Sequence, residues 1–146
     1  MRQSLNLPLG AALIVALGMG SVIAYRAAGP EPTVPPCRVG AESMERVELL
    51  FGMHEPGGEV GEADWRAFLE VEVTPRFPDG LTVLTGYGQW RNSTGVIAKE
   101  ASRVLLIWAK PAPGNSANIE AIRVAWKARF QQDSVMRVDG VSCVSF

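Results

Sequence analysis

Residues 45–53, Glu-Arg-Val-Glu-Leu-Leu-Phe-Gly-Met, alternate in polarity and decide the fold. With a period of two, one side of the extended chain receives the large apolar side chains Val47, Leu49, Phe51 and Met53. The other side receives Arg46, Glu48 and Leu50. This period is typical of a β-strand with one buried face, so other parts of the chain must cover that face.

The chain that follows predicts two helices and three further strands. Residues 62–74 carry apolar residues at helical spacing, namely Trp65, Phe68, Leu69 and Val73, before Pro75 and Pro78 end the helix. Strands are predicted at residues 81–91, 96–109 and 134–145, and a second amphipathic helix at residues 116–131. The second half of 96–109 is continuously apolar, which is typical of a central strand buried on both faces.

The resulting order, βαββαβ, predicts an α+β domain of the ferredoxin-like type. Right-handed crossovers place both helices on one face of a four-stranded antiparallel sheet with strand order 4-1-3-2. The expected core combines residues of both helices and of the third strand: Trp65, Phe68, Trp108, Trp126 and Phe130. The other face of the sheet is left open.

The first 28 residues predict an export signal. Arg2 supplies a positive end, residues 9–25 are uncharged and apolar, and Ala24 offers a cleavage position after small residues. The alternative is an uncleaved anchor, because the apolar stretch is close to the lower limit of roughly 17 residues for a spanning helix. Residues 29–40 then form a proline-rich spacer, and residues 41–146 a single folded domain. We expect a periplasmic or extracellular protein, tethered to the membrane only if residues 9–25 are retained.

Cys37 and Cys143 are the two cysteines of the chain. Cys37 precedes the first predicted strand, and Cys143 lies near the end of the last one. In the predicted strand order these two strands are antiparallel neighbours, so the start of one lies beside the end of the other. In an exported protein this arrangement predicts a Cys37–Cys143 disulfide; the alternative is a pair of free thiols.

Charge and motif content argue against several classes of function. Without residues 1–28 the chain carries 12 Lys and Arg against 15 Asp and Glu, a net charge of −3. This charge provides no basis for binding nucleic acid or anionic lipids. We predict no metal and no cofactor, because neither a ligand cluster nor a phosphate-binding motif is present, and we assign no catalytic residue. His54, the single histidine, is either a solvated loop residue or a general base without an identified acid partner.

The open face of the sheet is the candidate binding surface. Strand alternation assigns to it residues of the first, third and fourth strands: Glu48, Leu50, Arg103, Leu105, Ile107, Arg137 and Asp139. The second strand adds either Gln89 or its neighbours Trp90 and Arg91, because glycines at positions 86 and 88 make its alternation ambiguous. Three interpretations remain open: a solvated face with ion pairs such as Glu48–Arg103, a homodimer interface, or a small-molecule site.

Five segments of the chain resemble one family of short exported bacterial proteins. They are Glu48–Gly52 (ELLFG), Trp65–Leu69 (WRAFL), Glu72–Val83 (EVTPRFPDGLTV), Gly88–Arg91 (GQWR) and the ending Cys143–Phe146 (CVSF). The family is catalogued as domain of unknown function 3574, and the resemblance covers about residues 37–146. It implies export from a bacterial cell but no activity. Turn formation explains most of residues 74–83 but not Arg76, which therefore joins residues 89–91 in the candidate surface.

These observations favour a non-enzymatic exported domain that binds a ligand or partner, or forms a homodimer, through the open sheet face. The alternative is a small ferredoxin-like enzyme that uses Glu48, Arg103, Gln89 or His54 in a cleft on that face. A buried carboxylate in a pocket would favour the enzyme, whereas a flat apolar patch would favour the interface.

Overall fold

The alternating segment forms an inner strand of a four-stranded sheet. The computed structural model describes residues 36–91 and 94–146. The predicted signal segment, residues 29–35 of the spacer and the turn residues 92 and 93 therefore lie outside the described residues. No helix in the described part of the chain is long and apolar enough to cross a membrane.

The elements follow one another close to the predicted positions. The strands of the main sheet are β1 (Glu42–Gly52), β4 (Thr82–Arg91), β5 (Ile97–Ala109) and β6 (Met136–Val144). Two short strands, β2 (His54–Glu55) and β3 (Gly58–Glu59), form a small hairpin. Helix α1 (Glu62–Phe68) continues into a π-helical segment (Leu69–Val73), and helix α2 spans Asn115–Phe130.

The strand order is β4-β5-β1-β6, and all neighbouring strands are antiparallel. Counted within the main sheet and read from β6, this is 4-1-3-2, so the predicted four-stranded antiparallel sheet is confirmed. Leu49 on β1 lies opposite Leu105 on β5 and Arg137 on β6. Because opposed residues of antiparallel strands point to the same face, this register decides which side chains meet the helices.

Both helices pack against the face of β1 that carries Phe51. The Phe51 ring centroid lies 5.4 Å from that of Trp65 on α1 and 4.9 Å from that of Trp126 on α2. Phe68 and Phe130 complete this aromatic cluster, with centroids 4.9 Å and 4.3 Å from that of Trp126. The four residues of the alternating segment that were predicted to point inward are all buried, so its predicted inward face is confirmed.

Two predictions about the apolar second half of β5 are wrong. Leu105 and Ile107, expected on the open face, are buried and belong to the core. Trp108, expected in the core, is half-buried on the other face and lies opposite Arg46. The physical reason is that residues 104–109 are apolar on both faces. Their sequence therefore shows no alternation, and only the pairing with β1 decides which residues point inward.

The region between β1 and β4 departs from the prediction in two details. The Thr74 N–H donates to the Leu69 carbonyl at 2.8 Å, and this bond to the fifth preceding residue turns the end of the expected helix into a π-helical segment. The expected break at Gly57 and Gly58 lies in the β2–β3 hairpin, where Gly57 belongs to the turn and Gly58 begins β3. Gly58 has a φ of 136°, which glycine adopts without steric cost.

The predicted disulfide joins Cys37 and Cys143, whose Cα atoms are 5.4 Å apart. The bond depends on the pairing of β1 with β6, which places Ser43 opposite Cys143. Next to the disulfide, Arg38 Nη2 donates to Ser145 Oγ at 2.7 Å. A disulfide of this kind is typical of proteins outside the reducing cytoplasm.

Candidate functional site

The open face of the sheet consists of the even-numbered residues of β1, β4, β5 and β6, which point away from the helices. One row across the four strands is entirely apolar: Leu84, Val104, Leu50 and Met136. The next row contains Thr82, Leu106, Glu48 and Val138, and Trp108 and Arg46 pair in the row after it. The apolar patch comprises the apolar members of these rows: Leu50, Leu84, Val104, Leu106, Trp108, Met136 and Val138.

Solvent reaches the apolar patch across its full width. Its members on the two inner strands, including Leu50 and Leu106, are half-buried. On the outer strands Leu84 is 49%, Val138 42% and Met136 60% exposed. Single exposed apolar residues are ordinary on protein surfaces, but a contiguous exposed patch is typical of an interaction surface.

Two opposite charges lie within the apolar patch. Arg46 and Glu48 are two positions apart on β1 and form an ion pair with each other. Arg46 neighbours Trp108 on β5, and Glu48 neighbours Leu106 on β5 and Val138 on β6. This part of the open face therefore combines apolar and charged side chains, and the charges of Arg46 and Glu48 cancel each other.

Glu100 provides a further charge on the open face, beyond the apolar patch and towards the β4–β5 turn. Its Oε1 accepts a hydrogen bond from Trp90 Nε1 at 2.8 Å, and its Oε2 accepts one from the His54 backbone N–H at 3.2 Å. The carboxylate lies directly over Gly52, where an added Cβ would come within 2.6 Å of Oε2. Because glycine at position 52 has no side chain, the Glu100 carboxylate can occupy this space.

The predicted surface residues do not share one face. Glu48 and Trp90 lie on the open face, and Trp90 is 43% exposed. The β4 register has no interruption and puts Gln89 and Arg91 on the opposite face, which resolves the ambiguity left by the sequence. Arg76 lies outside the sheet, after the π-helical segment, where it pairs with Glu72 at 3.0 Å.

The assignment of Arg103 to the open face is wrong. Arg103 lies opposite Phe51 on the helix side, where its Nη2 donates to Glu62 Oε2 at 2.7 Å and its Nη1 contacts Thr85 Oγ1. The suggested Glu48–Arg103 ion pair is wrong for the same reason, since the two side chains are on opposite faces. A charged residue facing the helices was unexpected because its partner, at the first turn of α1, comes from a distant part of the chain.

Arg137 and Asp139 also lie on the helix side rather than on the open face, opposite Leu49 and Val47. Arg137 donates to Glu120 Oε1 at 2.8 Å, to Ser116 Oγ at 3.1 Å and to Asp139 Oδ1 at 2.8 Å. Hydrogen bonds from Arg137, and then from Arg123, lower the pKa of Glu120 from its usual value. Its hydrogen bond to Asp139 raises the pKa of Arg137. This network joins α2 to the edge strand β6.

A cleft of about 450 Å³ lies on the helix side next to this network. Core side chains form its floor and polar side chains its rim: Val47, Phe77, Ile119, Glu45, Arg137 and Asp139. The rim groups already have partners, because Asn115 Nδ2 donates to Glu45 Oε2 at 2.7 Å and Arg137 binds Glu120 and Asp139. The cleft is therefore on the face opposite to the predicted surface, and its polar groups are engaged within the protein.

Two observations concern acid–base and metal chemistry in the described residues. Residues 36–91 and 94–146 contain no group of three His, Cys, Asp or Glu positioned to hold a metal ion. His54 is exposed in β2, its N–H donates to Glu100, and its carbonyl accepts from Gln132 Nε2. Both contacts use the backbone, so they do not orient the imidazole for proton transfer.

Sequence reasoning missed most of the residues that make the open face distinctive: Leu84, Glu100, Val104, Leu106, Met136 and Val138. Glu48 and Leu50 were placed correctly because β1 alternates cleanly. The register of β1 against β5 would have identified the other residues. When Leu49 pairs with Leu105, Val104 lies opposite Leu50 and Leu106 lies opposite Glu48. Register depends on contacts between distant segments, so the sequence of either strand alone does not determine it.

Comparisons with known proteins give a family and a related fold. The family model described as "Protein of unknown function (DUF3574)" matches residues 46–146, and no curated protein sequence matches the chain. A phage SAM lyase in complex with S-methyl-5'-thioadenosine is similar in structure, with a TM-score of 0.56 at 11% identity over 78% of this chain and 96% of that one. A phage SAM lyase in the apo state gives a TM-score of 0.54 at 12% identity over 78% and 97% of the chains. At such low identity the similarity concerns the fold.

Proposed function

The chain belongs to the family described as "Protein of unknown function (DUF3574)", and we propose that it is an exported domain that self-associates through the apolar patch. The partner is a second copy of the chain, and the assembly is a homodimer with the two open sheet faces in contact. One observation carries this proposal: the apolar row Leu84, Val104, Leu50 and Met136 crosses all four strands of the sheet and reaches solvent.

The composition of the apolar patch supports an interface. Interface centres are depleted in charge and enriched in aromatic residues and Met, and the patch combines Trp108 and Met136 with aliphatic side chains. Burial of apolar surface contributes about 25 cal/mol per Å² removed from water. Packing two open faces together removes the exposed outer residues of both copies, such as Leu84 and Val138, from water at the same time.

The charge pattern supports a second copy as the partner. Arg46 and Glu48 are neighbours on the open face and opposite in charge. A two-fold axis that passes near them brings Arg46 of one copy towards Glu48 of the other, and the reverse, as the symmetry of an isologous interface requires. A partner of strong net charge would leave one member of this pair opposed by a like charge.

Two features support export. The Cys37–Cys143 disulfide is of a kind that persists in oxidising compartments. Residues 1–28 have the charged end, apolar stretch and small-residue cleavage pattern of a signal segment. The domain is therefore proposed to act in the periplasm or outside the cell.

The test compares the same substitution at two valines. Val138 lies in the apolar patch, whereas Val124 is 60% exposed on α2, away from the sheet. In a symmetric interface Val138→Glu introduces a buried charge from each copy, whereas Val124→Glu adds an exposed charge. We expect native mass spectrometry of the exported protein to show dimers for the wild type and Val124→Glu, and monomers for Val138→Glu. A wild-type protein that stays monomeric at every concentration would contradict the proposal.

A second candidate function is the binding of a nucleoside thioether, which the structural similarity favours. The phage SAM lyase binds S-methyl-5'-thioadenosine in its solved structure, and the similarity spans 78% of this chain. This candidate corresponds to the alternative of a small enzyme. Equilibrium dialysis against S-methyl-5'-thioadenosine, with adenosine as the control ligand, tests it. Saturable binding of the thioether supports the candidate, and equal, non-saturable uptake of both compounds contradicts it.

A further inference from the structure

We propose that Glu100 and Trp90 form a binding site for a small organic cation of the quaternary-ammonium class. The site lies on the open face beside the β2–β3 hairpin, outside the apolar patch. It is therefore a binding activity in addition to the proposed self-association. The argument rests on the charge of Glu100, on how the carboxylate is held, and on the aromatic ring next to it.

Glu100 carries a negative charge that no described basic side chain balances. Its oxygens accept hydrogen bonds from two neutral donors, Trp90 Nε1 and the His54 backbone N–H. Other glutamates on the sheet and on the helices, such as Glu48 and Glu120, form ion pairs with arginine. A half-buried carboxylate with only neutral partners attracts a cation more strongly than one that is already paired.

The carboxylate is held in place before any ligand arrives. The two hydrogen bonds, at 2.8 Å and 3.2 Å, come from different strands and fix both oxygens. Gly52 provides the space under the carboxylate. The position opposite Glu100 on β4 is Gly88, so no side chain from that residue competes for the space beside the carboxylate. Such preorganisation lowers the entropic cost of binding.

Trp90 supplies the second half of the site. Its hydrogen bond to Glu100 uses the N–H at the edge of the indole, so this bond does not occupy the faces of the ring. The side chain is 43% exposed. The face of a tryptophan ring attracts cations, and quaternary ammonium groups are bound in this way by aromatic side chains. A cation on the ring face is also within the field of the adjacent carboxylate.

The donor set favours an organic cation over a metal ion. Glu100 is a single carboxylate, and the described residues contain no group of three potential metal ligands. Ca²⁺ and Mg²⁺ require several oxygen ligands, which an indole ring cannot supply. A quaternary ammonium group is weakly hydrated at its methyl groups and therefore suits a site that combines one charge with an aromatic surface.

The test uses choline and its neutral isostere 3,3-dimethyl-1-butanol, which has the same shape without the charge. The readout is the indole N–H resonance of Trp90 in ¹⁵N-labelled protein in its native oligomeric state, assigned with Trp90→Phe. We expect a saturable shift with choline that is at least about tenfold weaker with the isostere. Equal shifts from both compounds would overturn the proposal, because the site would then recognise shape alone.

Three variants identify the source of the effect. Glu100→Gln keeps an acceptor for Trp90 but removes the charge, and Gly52→Ala pushes the carboxylate out of its position; both are expected to weaken choline binding by about tenfold or more. Glu59→Gln, which removes an exposed charge from the same hairpin, is expected to bind as the wild type does. Unchanged choline binding by Glu100→Gln would overturn the proposal. Val138→Glu is expected to bind choline as the wild type does, whether it is a dimer or a monomer. This measurement therefore separates the test of the cation site from the test of self-association.

Discussion

Cys37 and Cys143 are 106 positions apart in the chain, yet their Cα atoms lie 5.4 Å apart. The proximity arises because β1 and β6 run antiparallel as neighbours, with Ser43 opposite Cys143. The bond therefore closes a loop that contains both helices and all the strands up to the last residues of β6. In a domain of this size such a cross-link restricts the unfolded chain more than the folded one.

We expect the double variant Cys37→Ser, Cys143→Ser to fold with lower stability. In the chain-entropy model, closing a loop of about 100 residues contributes up to roughly 4.7 kcal/mol, and typical disulfides contribute about 2–4 kcal/mol. Urea denaturation measures the loss. Reduction of the wild type should produce the same decrease in the free energy of unfolding, and the double variant should show no further decrease on reduction. A variant as stable as the oxidised wild type would contradict this account.

The register of β5 predicts opposite outcomes for two neighbouring leucines. Leu105 is fully buried in the core, whereas Leu106 is half-buried on the open face. Leu105→Ala should reduce the free energy of unfolding by about 2–5 kcal/mol, because it leaves a cavity in the core. Leu106→Ala should cost clearly less when the protein is measured as a monomer at low concentration. Equal losses, or the reverse order, would contradict the observed register.

The lowered pKa of Glu120 predicts a pH-dependent contribution to stability. Because hydrogen bonds from Arg137 and Arg123 lower this pKa in the folded state, the stabilising effect is present above the pKa of Glu120 in the unfolded chain. It is lost as the pH falls through the folded value. Glu120→Gln should therefore be less stable than the wild type at pH 7 by up to about 1 kcal/mol, since the pair is exposed.

This difference should disappear in acid, where the wild-type carboxyl is itself protonated. Thermal unfolding of both proteins between pH 7 and pH 2 measures the trend. Added salt should reduce the difference at neutral pH, because exposed charges are screened. A difference that stays constant over the whole pH range would show that Glu120 acts through packing and not through its charge.

Self-association predicts that stability depends on protein concentration. A dimer that dissociates on unfolding gains stability by mass action, up to about 2.7 kcal/mol for a 100-fold increase in concentration. Differential scanning calorimetry at two concentrations should give a higher melting temperature for the more concentrated wild type and for Val124→Glu. The melting temperature of Val138→Glu should not change. A wild type without concentration dependence would argue against the apolar patch as an interface.

Local patterns were sufficient for much of the fold. The alternation in residues 45–53 identified β1 and its buried face, because period two is a property of the extended chain itself. Apolar residues at helical spacing identified both helices and four of the five expected aromatic core residues. The order of these elements predicted the antiparallel sheet, and the sheet in turn predicted the disulfide, since chain connectivity restricts which strands become neighbours.

The open face required the tertiary structure. In the apolar second half of β5 either alternation is consistent with the sequence, so the placement of Leu105, Leu106 and Trp108 depended on the pairing with β1. Arg103 faces the helices because the same pairing places it opposite Phe51, and Glu62 from α1 binds it there. The sequence by itself determined the four strands of the main sheet, the two helices, their order and the cysteine pair, because these depend on local periodicity and connectivity. Only the tertiary structure decided which face carries the apolar patch and where Glu100 meets Trp90, because cross-strand register arises from contacts between distant residues.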